Sequence, residues 1–255
     1  MEILDVDLLA FETGSAEQRR SVVDGVRRSL VTGFVYVEHD LSVDLIDEAY
    51  AQLEAFFALP QERKDTYVVP GSNGQSGYTG LLVETAAVAD VPDWKEMLTD
   101  GATLTRAIHY PAMEQAPGEQ HVWAGEHADI NLITALPRAT AAGLQLKTPD
   151  GEWSDVAPPE GSAIINTGLM LERLSNGVIP SGIHRVVSGA GQQGDRYSVV
   201  QFAHPTPWTI LAPMPSTVTA EHPLRYSAIA ASDALDKVLY EINLVEDGRR
   251  VDADD

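Results

Sequence analysis

A chain of 255 residues with 44% hydrophobic residues is long enough for one large packed domain and too apolar for a disordered chain. It contains no cysteine, which removes disulfides, thiolate metal sites and cysteine nucleophiles together. Its formal net charge of −21 repels phosphate backbones and argues against nucleic acid as a partner, and no apolar run reaches the ~18–20 residues of a membrane span, so no membrane partner is expected either.

The N-terminal stretch MEILDVDLLAFETG is acidic and lacks a basic n-region, so no secretory signal is expected and the chain reads as cytoplasmic. Ser15 followed three residues on by Gln18 is a capping-box signature. Val22, Val23, Val26 and Leu30 continue it at helical spacing, and Gly33 supplies a stop. The β-branched and aromatic run Phe34 to His39 predicts a strand. Ser42 is then placed to cap a second helix whose buried stripe would be Leu45, Ile46, Ala49, Leu53, Phe56 and Phe57, ending at Leu59-Pro60. VVPGSNGQSGYTG, Val68 to Gly80, and MEQAPGEQ, Met113 to Gln120, predict loops.

Beyond this point short strands alternate with turn residues. GLQLK and EWSDV flank TPDG, where Asp150-Gly151 signals a hairpin, and SAIINTG, SGIHRVVSG and RYSVVQFAHP follow. Many short strands with glycine and proline turns predict a sandwich, jelly roll or small barrel. The chain returns to helix in SDALDKVLYEINL, with Ser232 as its cap, and ends in an acidic tail, VDADD, expected to fray. The reading is one domain over residues 1–255: an N-terminal α/β section over 1–100, a β core over 101–212 and a C-terminal helical segment over 213–255.

Within the β core, GEHADINLITAL places His127 and Asp129 two residues apart at the mouth of a strand, where i and i+2 share a face. An imidazole and a carboxylate on one face are two neighbouring ligands for a divalent cation. Among seven histidines, His184 in SGIHRVVSG is the candidate third ligand, far enough downstream for the chain to fold back across a sandwich. Two histidines and one carboxylate with open positions suit a non-haem iron(II) oxygenase. Arg196 and Ser198 are again i and i+2. A buried arginine needs an anion, and its fork pairs bidentately with a carboxylate, so the two form a seat for a small dicarboxylate. Val200 and Phe202 continue the same face. His204 reads as structural or exposed, and His109 and His121 as surface residues, with a contact to a metal ligand or to the substrate as the alternative for each.

The segments HADINLITAL, AGLQLKTPDGEWSDVAPPEGSAIINTGLML, SNGVIPSGIHRVV and RYSVVQFAHP, in this order, resemble the iron(II)/2-oxoglutarate-dependent dioxygenases, and within them the isopenicillin N synthase-like group. The likeness extends to GFVYVEHDLSVDLIDEAYAQLEAFFALPQERKD, GYTG, DWKEML and LRYSAIAASDAL, nearly the whole chain. It implies a mostly β fold with flanking helices around a double-stranded β-helix, or jelly-roll, core. It implies His127, Asp129 and His184 as Fe(II) ligands and catalytic centre, with Arg196 and Ser198 seating the far carboxylate of the cosubstrate 2-oxoglutarate. O2 would be the oxidant, a small organic molecule would be hydroxylated, desaturated or cyclised, and succinate and CO2 would be the co-products.

Three positions depart from the family pattern. Ile108-His109-Tyr110-Pro111 lacks the usual asparagine, which leaves the contact of Tyr110 with the cosubstrate open. Gly168-Leu169 stands for Gly-Asp, and Phe202-Ala203 for a phenylalanine pair. Tyr78, Trp94 and Phe202 are the expected substrate residues, with GSNGQSGYTG and DWKEML near the substrate, while Met170 is placed as filler. Two other readings keep the jelly roll: an iron oxidase of isopenicillin N synthase type that does not consume 2-oxoglutarate, and an inactive binding protein. A zinc hydrolase shares the ligand types but has no candidate general base nearby. The primary substrate and the oligomeric state are not specified by the sequence.

Overall fold

The computed structural model describes residues 2–101, 103–189 and 192–241. In chain order the elements are β1 (Asp5–Asp7), α1 (Leu8–Thr13), α2 (Ala16–Ser29), β2 (Phe34–Glu38), α3 (Val43–Phe57), α4 (Gln61–Asp65), β3 (Gly77–Thr79), β4 (Glu96–Asp100) and β5 (Thr105–Tyr110). There follow β6 (Ala124–His127), β7 (Ile133–Leu136), β8 (Leu144–Lys147), β9 (Trp153–Asp155), β10 (Ser162–Thr167) and α5 (Leu169–Leu174). The last are β11 (His184–Val186), β12 (Arg196–Ala203), β13 (Ile210–Leu211), β14 (Ile229–Ala230) and α6 (Ala231–Glu241). Among the described residues no helix is long and apolar enough to cross a membrane.

An eight-stranded sheet in the order β1-β2-β10-β7-β12-β5-β4-β3 faces a four-stranded sheet in the order β6-β11-β8-β9. Phe34, Tyr36, Ile108, Leu136 and Ile164 of the first sheet pack with Ala124, Leu144, Leu146 and Val186 of the second in one buried cluster. This is the jelly roll. The large sheet is covered on its outer side as well. Val35, Val37 and Ala163 leave β2 and β10 on the opposite face and pack against Val6 and Val22, with Val26 of α2 beside them. Burial on both faces is why these strands read as unbroken apolar runs rather than alternating ones. Strands from the N-terminal third are hydrogen-bonded directly into this sheet, β2 against β10 and β4 against β5.

The local signals are realised. Ser15 and Gln18 form a reciprocal capping box, and Gly33, at φ 77°, closes the turn after α2. Gly151, at φ 86°, sits in the turn that pairs β8 with β9. Helix faces are less legible. Val23 and Leu45 are exposed and Ala49 with them, whereas Tyr50, absent from the predicted stripe, is buried with Phe57. The Tyr50 hydroxyl donates to the Arg138 carbonyl and accepts from the Val199 amide, so a polar bond, invisible to apolar periodicity, fixes α3 to β12. Ser42 stands at the N-cap of α3 without a side-chain hydrogen bond. The predicted loop 68–80 contains β3. Ser232 lies inside α6 rather than capping it, and the predicted continuation INL and the tail VDADD fall outside the described residues.

The junction of β10 and α5 positions the segment after β6. The amides of Gly168, Leu169 and Met170 donate to the carbonyls of Leu132, Asp129 and Ile130 at 3.0, 2.8 and 3.1 Å. A Cβ at Gly168 would meet the Asn131 carbonyl oxygen at 2.1 Å, so only glycine permits this approach. Gly168→Ala is expected to force the two segments apart at a cost of about 1–3 kcal/mol. Thermal unfolding should show a midpoint several degrees lower; an unchanged midpoint would mean that the clamp yields without strain.

Candidate metal centre and active site

β6 and β11 pair antiparallel with His127 directly opposite His184, and their ring centroids lie 4.3 Å apart. Each Nδ1 faces a carbonyl two residues earlier: His127 to Gly125 at 2.7 Å and His184 to Gly182 at 2.8 Å. A carbonyl only accepts, so Nδ1 carries the proton and Nε2 presents a lone pair. Both Nε2 atoms stand 3.9 Å from Oδ1 of Asp129. The ligating atoms of these three residues all lie within 4.8 Å of one another.

Asp129 is not on the strand as the i, i+2 argument supposed. β6 ends at His127, and Asp129 is buried in the connection to β7, held there by the α5 clamp. Its Oδ2 accepts from Thr134 Oγ1 at 2.5 Å and Asn166 Nδ2 at 2.7 Å, which leaves Oδ1 free toward the imidazoles. Burial pushes this carboxyl up, but the imidazoles of His184 and His127 and the two donors outweigh it and hold the group below its ordinary value. Asn166 arrives because it shares the inner face of β10 with Ile164; neither it nor Thr134 carries a signal in the sequence that singles it out.

Burial, then the charge of His127, push the His184 imidazole down from 6.5 to about 4. The unfolded chain therefore takes up this proton first. The contribution of a neutral buried His184 is complete above pH 6.5 and is lost as pH falls through 4. The metal-free protein is expected to lose on the order of 3 kcal/mol from this group over that window. Urea unfolding with chelator present, across a pH series, should show a loss that is absent in His184→Gln; identical pH dependence in both chains would refute the assignment.

Arg196, the first residue of β12, is 2% exposed. Its Nε donates to the Ala141 carbonyl at 3.1 Å and its guanidinium lies over the Tyr110 ring, 4.9 Å from the centroid. Its Nη1 is buried with no hydrogen-bond partner. A cavity of about 120 Å³ is lined by His127, Asp129 and His184 and also by Arg196, Ser198 and Tyr110. An orphaned buried guanidinium nitrogen marks a place for an anion. The donor set at the first group, two imidazoles turned with Nε2 inward and one carboxylate, suits iron(II). The residues present thus fit both a non-haem iron and a cosubstrate carboxylate.

Of the expected substrate residues, Phe202 lines the cavity. Tyr78 does not: it is buried beside Phe57 on the outer side of the sheet, with its hydroxyl donating to Glu96. Trp94 packs into the apolar core, and its neighbours Asp93 and Lys95 face the cavity instead. The segment DWKEML does border the site, through Asp93, Lys95 and Met97. Met170 fills a cluster with Leu211 and Ala231. His109 and His121 are buried rather than superficial. His109 bridges Glu96 Oε1 at 2.7 Å and Asp195 Oδ2 at 2.9 Å, and His121 faces the Pro92 carbonyl at 3.0 Å. His204 is neither a plain structural residue nor exposed; it borders the cavity, half-buried. Arg106 and Glu84 also line it, as does Leu239 of α6. A signal for Arg106 exists in the sequence, because it shares the inner face of β5 with Ile108 and Tyr110.

A jelly roll with a His-x-Asp pair, a distant histidine and an unpaired arginine at the far end of one cavity defines a mononuclear non-haem metal enzyme class. Residues 102–205 match the 2OG-Fe(II) oxygenase superfamily, and residues 2–119 match the family described as non-haem dioxygenase in morphine synthesis N-terminal. Together the two matches span residues 2–205 and support the 2OG-Fe(II) oxygenase superfamily as the family of this chain. The 2-oxoglutarate-Fe(II) type oxidoreductase hxnY of Emericella nidulans is 32% identical over 157 residues, 60% of this chain and 44% of that protein. Gibberellin 2-beta-dioxygenase 2 of Oryza sativa is 32% identical over 183 residues, 64% of this chain and 49% of that protein. The chain thus spans less than half the length of these curated relatives. The crystal structure of a full-length Neurospora crassa protein in complex with alpha-KG and thymine shares the fold, with TM-score 0.82 and 23% identity over 93% of this chain and 96% of that one. A Caulobacter crescentus structure of the same oxygenase family has TM-score 0.80 and 29% identity over 94% of this chain and 98% of that one.

Proposed function

We propose that the chain is an iron(II)- and 2-oxoglutarate-dependent oxygenase that hydroxylates, desaturates or cyclises a small organic molecule. One observation carries the reading. Two Nε2 atoms and one Oδ1 converge with their lone pairs free, while Arg196 Nη1 stands unpartnered in the wall of the same cavity. His127, Asp129 and His184 would hold the metal, and Arg196 with Ser198 the far carboxylate of 2-oxoglutarate. Iron(II) with 2-oxoglutarate supplies activation of O2, with succinate and CO2 as co-products.

The protein's own part is placement. The Gly125 and Gly182 carbonyls keep both imidazoles in the Nδ1–H tautomer, and Thr134 and Asn166 aim Oδ1 at them. Tyr110 supports the guanidinium by its ring face, a contact that does not need the missing asparagine. A strand ladder holds His127 and His184, and the backbone clamp from α5 holds Asp129, so a substrate hydrogen is presented in a fixed position. Relatives bearing dioxygenase names, and a neighbour that binds thymine with alpha-KG, support a small-molecule substrate. The absence of cysteine supports a reducing, cytoplasmic location. The test is anaerobic addition of iron(II) and 2-oxoglutarate, watched for their charge-transfer absorption, followed by a substrate panel scored by succinate release. No absorption on adding both would sink the reading.

A further inference from the structure

We infer that Arg106 and Glu84 select the primary substrate, and that this substrate is a small polar molecule presenting a hydrogen-bond acceptor beside an N–H donor. The inference rests on the oxygenase reading and adds the substrate class to it.

Arg106 enters the cavity from β5, on the face shared with Tyr110. Its Nε donates to Thr99 Oγ1 at 3.1 Å and its Nη2 to the Gly74 carbonyl at 3.3 Å, while its guanidinium lies over the Phe202 ring at 5.0 Å. These contacts fix the plane of the fork. Among the described residues no carboxylate pairs with it and Nη1 donates to nothing. Glu84 lines the same cavity. Its Oε2 faces Lys95 Nζ at 3.1 Å, off the line of a hydrogen bond, and Lys95 is already engaged by Asp93 at 2.8 Å. Burial would raise the Glu84 carboxyl, but the charges of Lys95 and Arg106 bring it down to about 2, so it is ionised at any working pH.

An apolar occupant would strip water from the free Nη1 of Arg106 and from the Glu84 carboxylate, whose ion pair with Lys95 lacks hydrogen-bond geometry, and would return nothing to either. An occupant with an acceptor for Arg106 and an N–H for Glu84 returns both contacts. A site built this way rejects analogues lacking the polar edge far more strongly than an apolar pocket rejects a missing methylene. Arg106 and Glu84 together carry no net charge, which favours a neutral or zwitterionic occupant. Cyclic amides, with C=O beside N–H, and α-amino acids, with carboxylate beside ammonium, share this chemistry.

The test uses the full chain loaded anaerobically with iron(II) and 2-oxoglutarate. Three probe sets are added: hydantoin and 2-piperidone, L-leucine and L-proline, and the apolar controls toluene and limonene. Binding is read as a shift in the charge-transfer absorption, and succinate release is read after oxygen is admitted. A response to the first or second set is expected, and whichever set responds assigns the source. Affinity for the responding probe should fall tenfold or more in both Arg106→Met and Glu84→Gln, with 2-oxoglutarate affinity unchanged within threefold as the control for an intact site. An equal response to the apolar controls, indifference of the responding probe to both substitutions, or no response from either polar set would overturn the inference. Absence of the absorption in the unsubstituted protein would instead overturn the oxygenase reading beneath it.

Discussion

Asp129→Ala is expected to abolish iron(II) binding and turnover together. The carboxylate is the one anion among the three converging groups, and its Oδ1 is the atom that both Nε2 atoms face. Loss of an outer-shell partner of a metal ligand typically costs ~10–100-fold in affinity, and loss of the ligand itself removes more than that. The change should spare the fold. It removes a buried carboxylate whose ionisation is favoured by His184, His127, Thr134 and Asn166, and it leaves the backbone clamp between Asp129 and Leu169 intact. Anaerobic iron titration and oxygen-dependent succinate release are the measurements, with circular dichroism for the fold. Full retained turnover would remove Asp129 from the ligand set.

Arg196→Ala is the second large effect, and it should separate the cosubstrate from the metal. Arg196 is fully enclosed, stacked over Tyr110 and tied by Nε to Ala141, so its remaining donors are held in place before any ligand arrives. Truncating one partner of a buried, hydrogen-bonded charge pair costs about 2–5 kcal/mol, or roughly 30- to 4000-fold in 2-oxoglutarate affinity. Iron(II) affinity should change little, because no metal-facing atom contacts the guanidinium among the described hydrogen bonds. Titrating each component separately checks this. A parallel fall in both affinities would show that Arg196 maintains the cavity as a whole rather than seating an anion.

The buried network on the outer side of the large sheet shows where reading strands from sequence meets its limit. Strand periodicity tells which residues share a face, not which face is inside. On β4 and β5 both faces are covered. Glu96 and His109 point outward yet are buried, under Lys64 of α4 and beside Tyr78 of β3, with Asp195 closing the chain. A polar residue on a strand thus reads as superficial even where a helix covers it. Just before β4, Trp94 packs into the apolar core while its polar neighbours Asp93 and Lys95 line the cavity, the reverse of what residue type suggests. Helix α3 is misread for a related reason: besides the packing of Phe57 on Tyr197, its contact with β12 is made by the Tyr50 hydroxyl, which apolar spacing does not register.

The sequence by itself determined what is local or pairwise in chain order. The capping box at Ser15, the hairpin at Asp150-Gly151 and the pairs His127–Asp129 and Arg196–Ser198 are written in spacings of a few residues, and His184 stands out by its strand and its place downstream. Only the tertiary structure decided which groups meet. The register that sets His184 opposite His127, the clamp that carries Asp129 off the end of its strand, and the arrival of Asn166, Arg106 and Glu84 around one cavity come from pairings across distant strands. The physical reason is that backbone hydrogen bonding carries no side-chain label, so a strand's own residues limit its partner and register but burial over the whole sheet selects them.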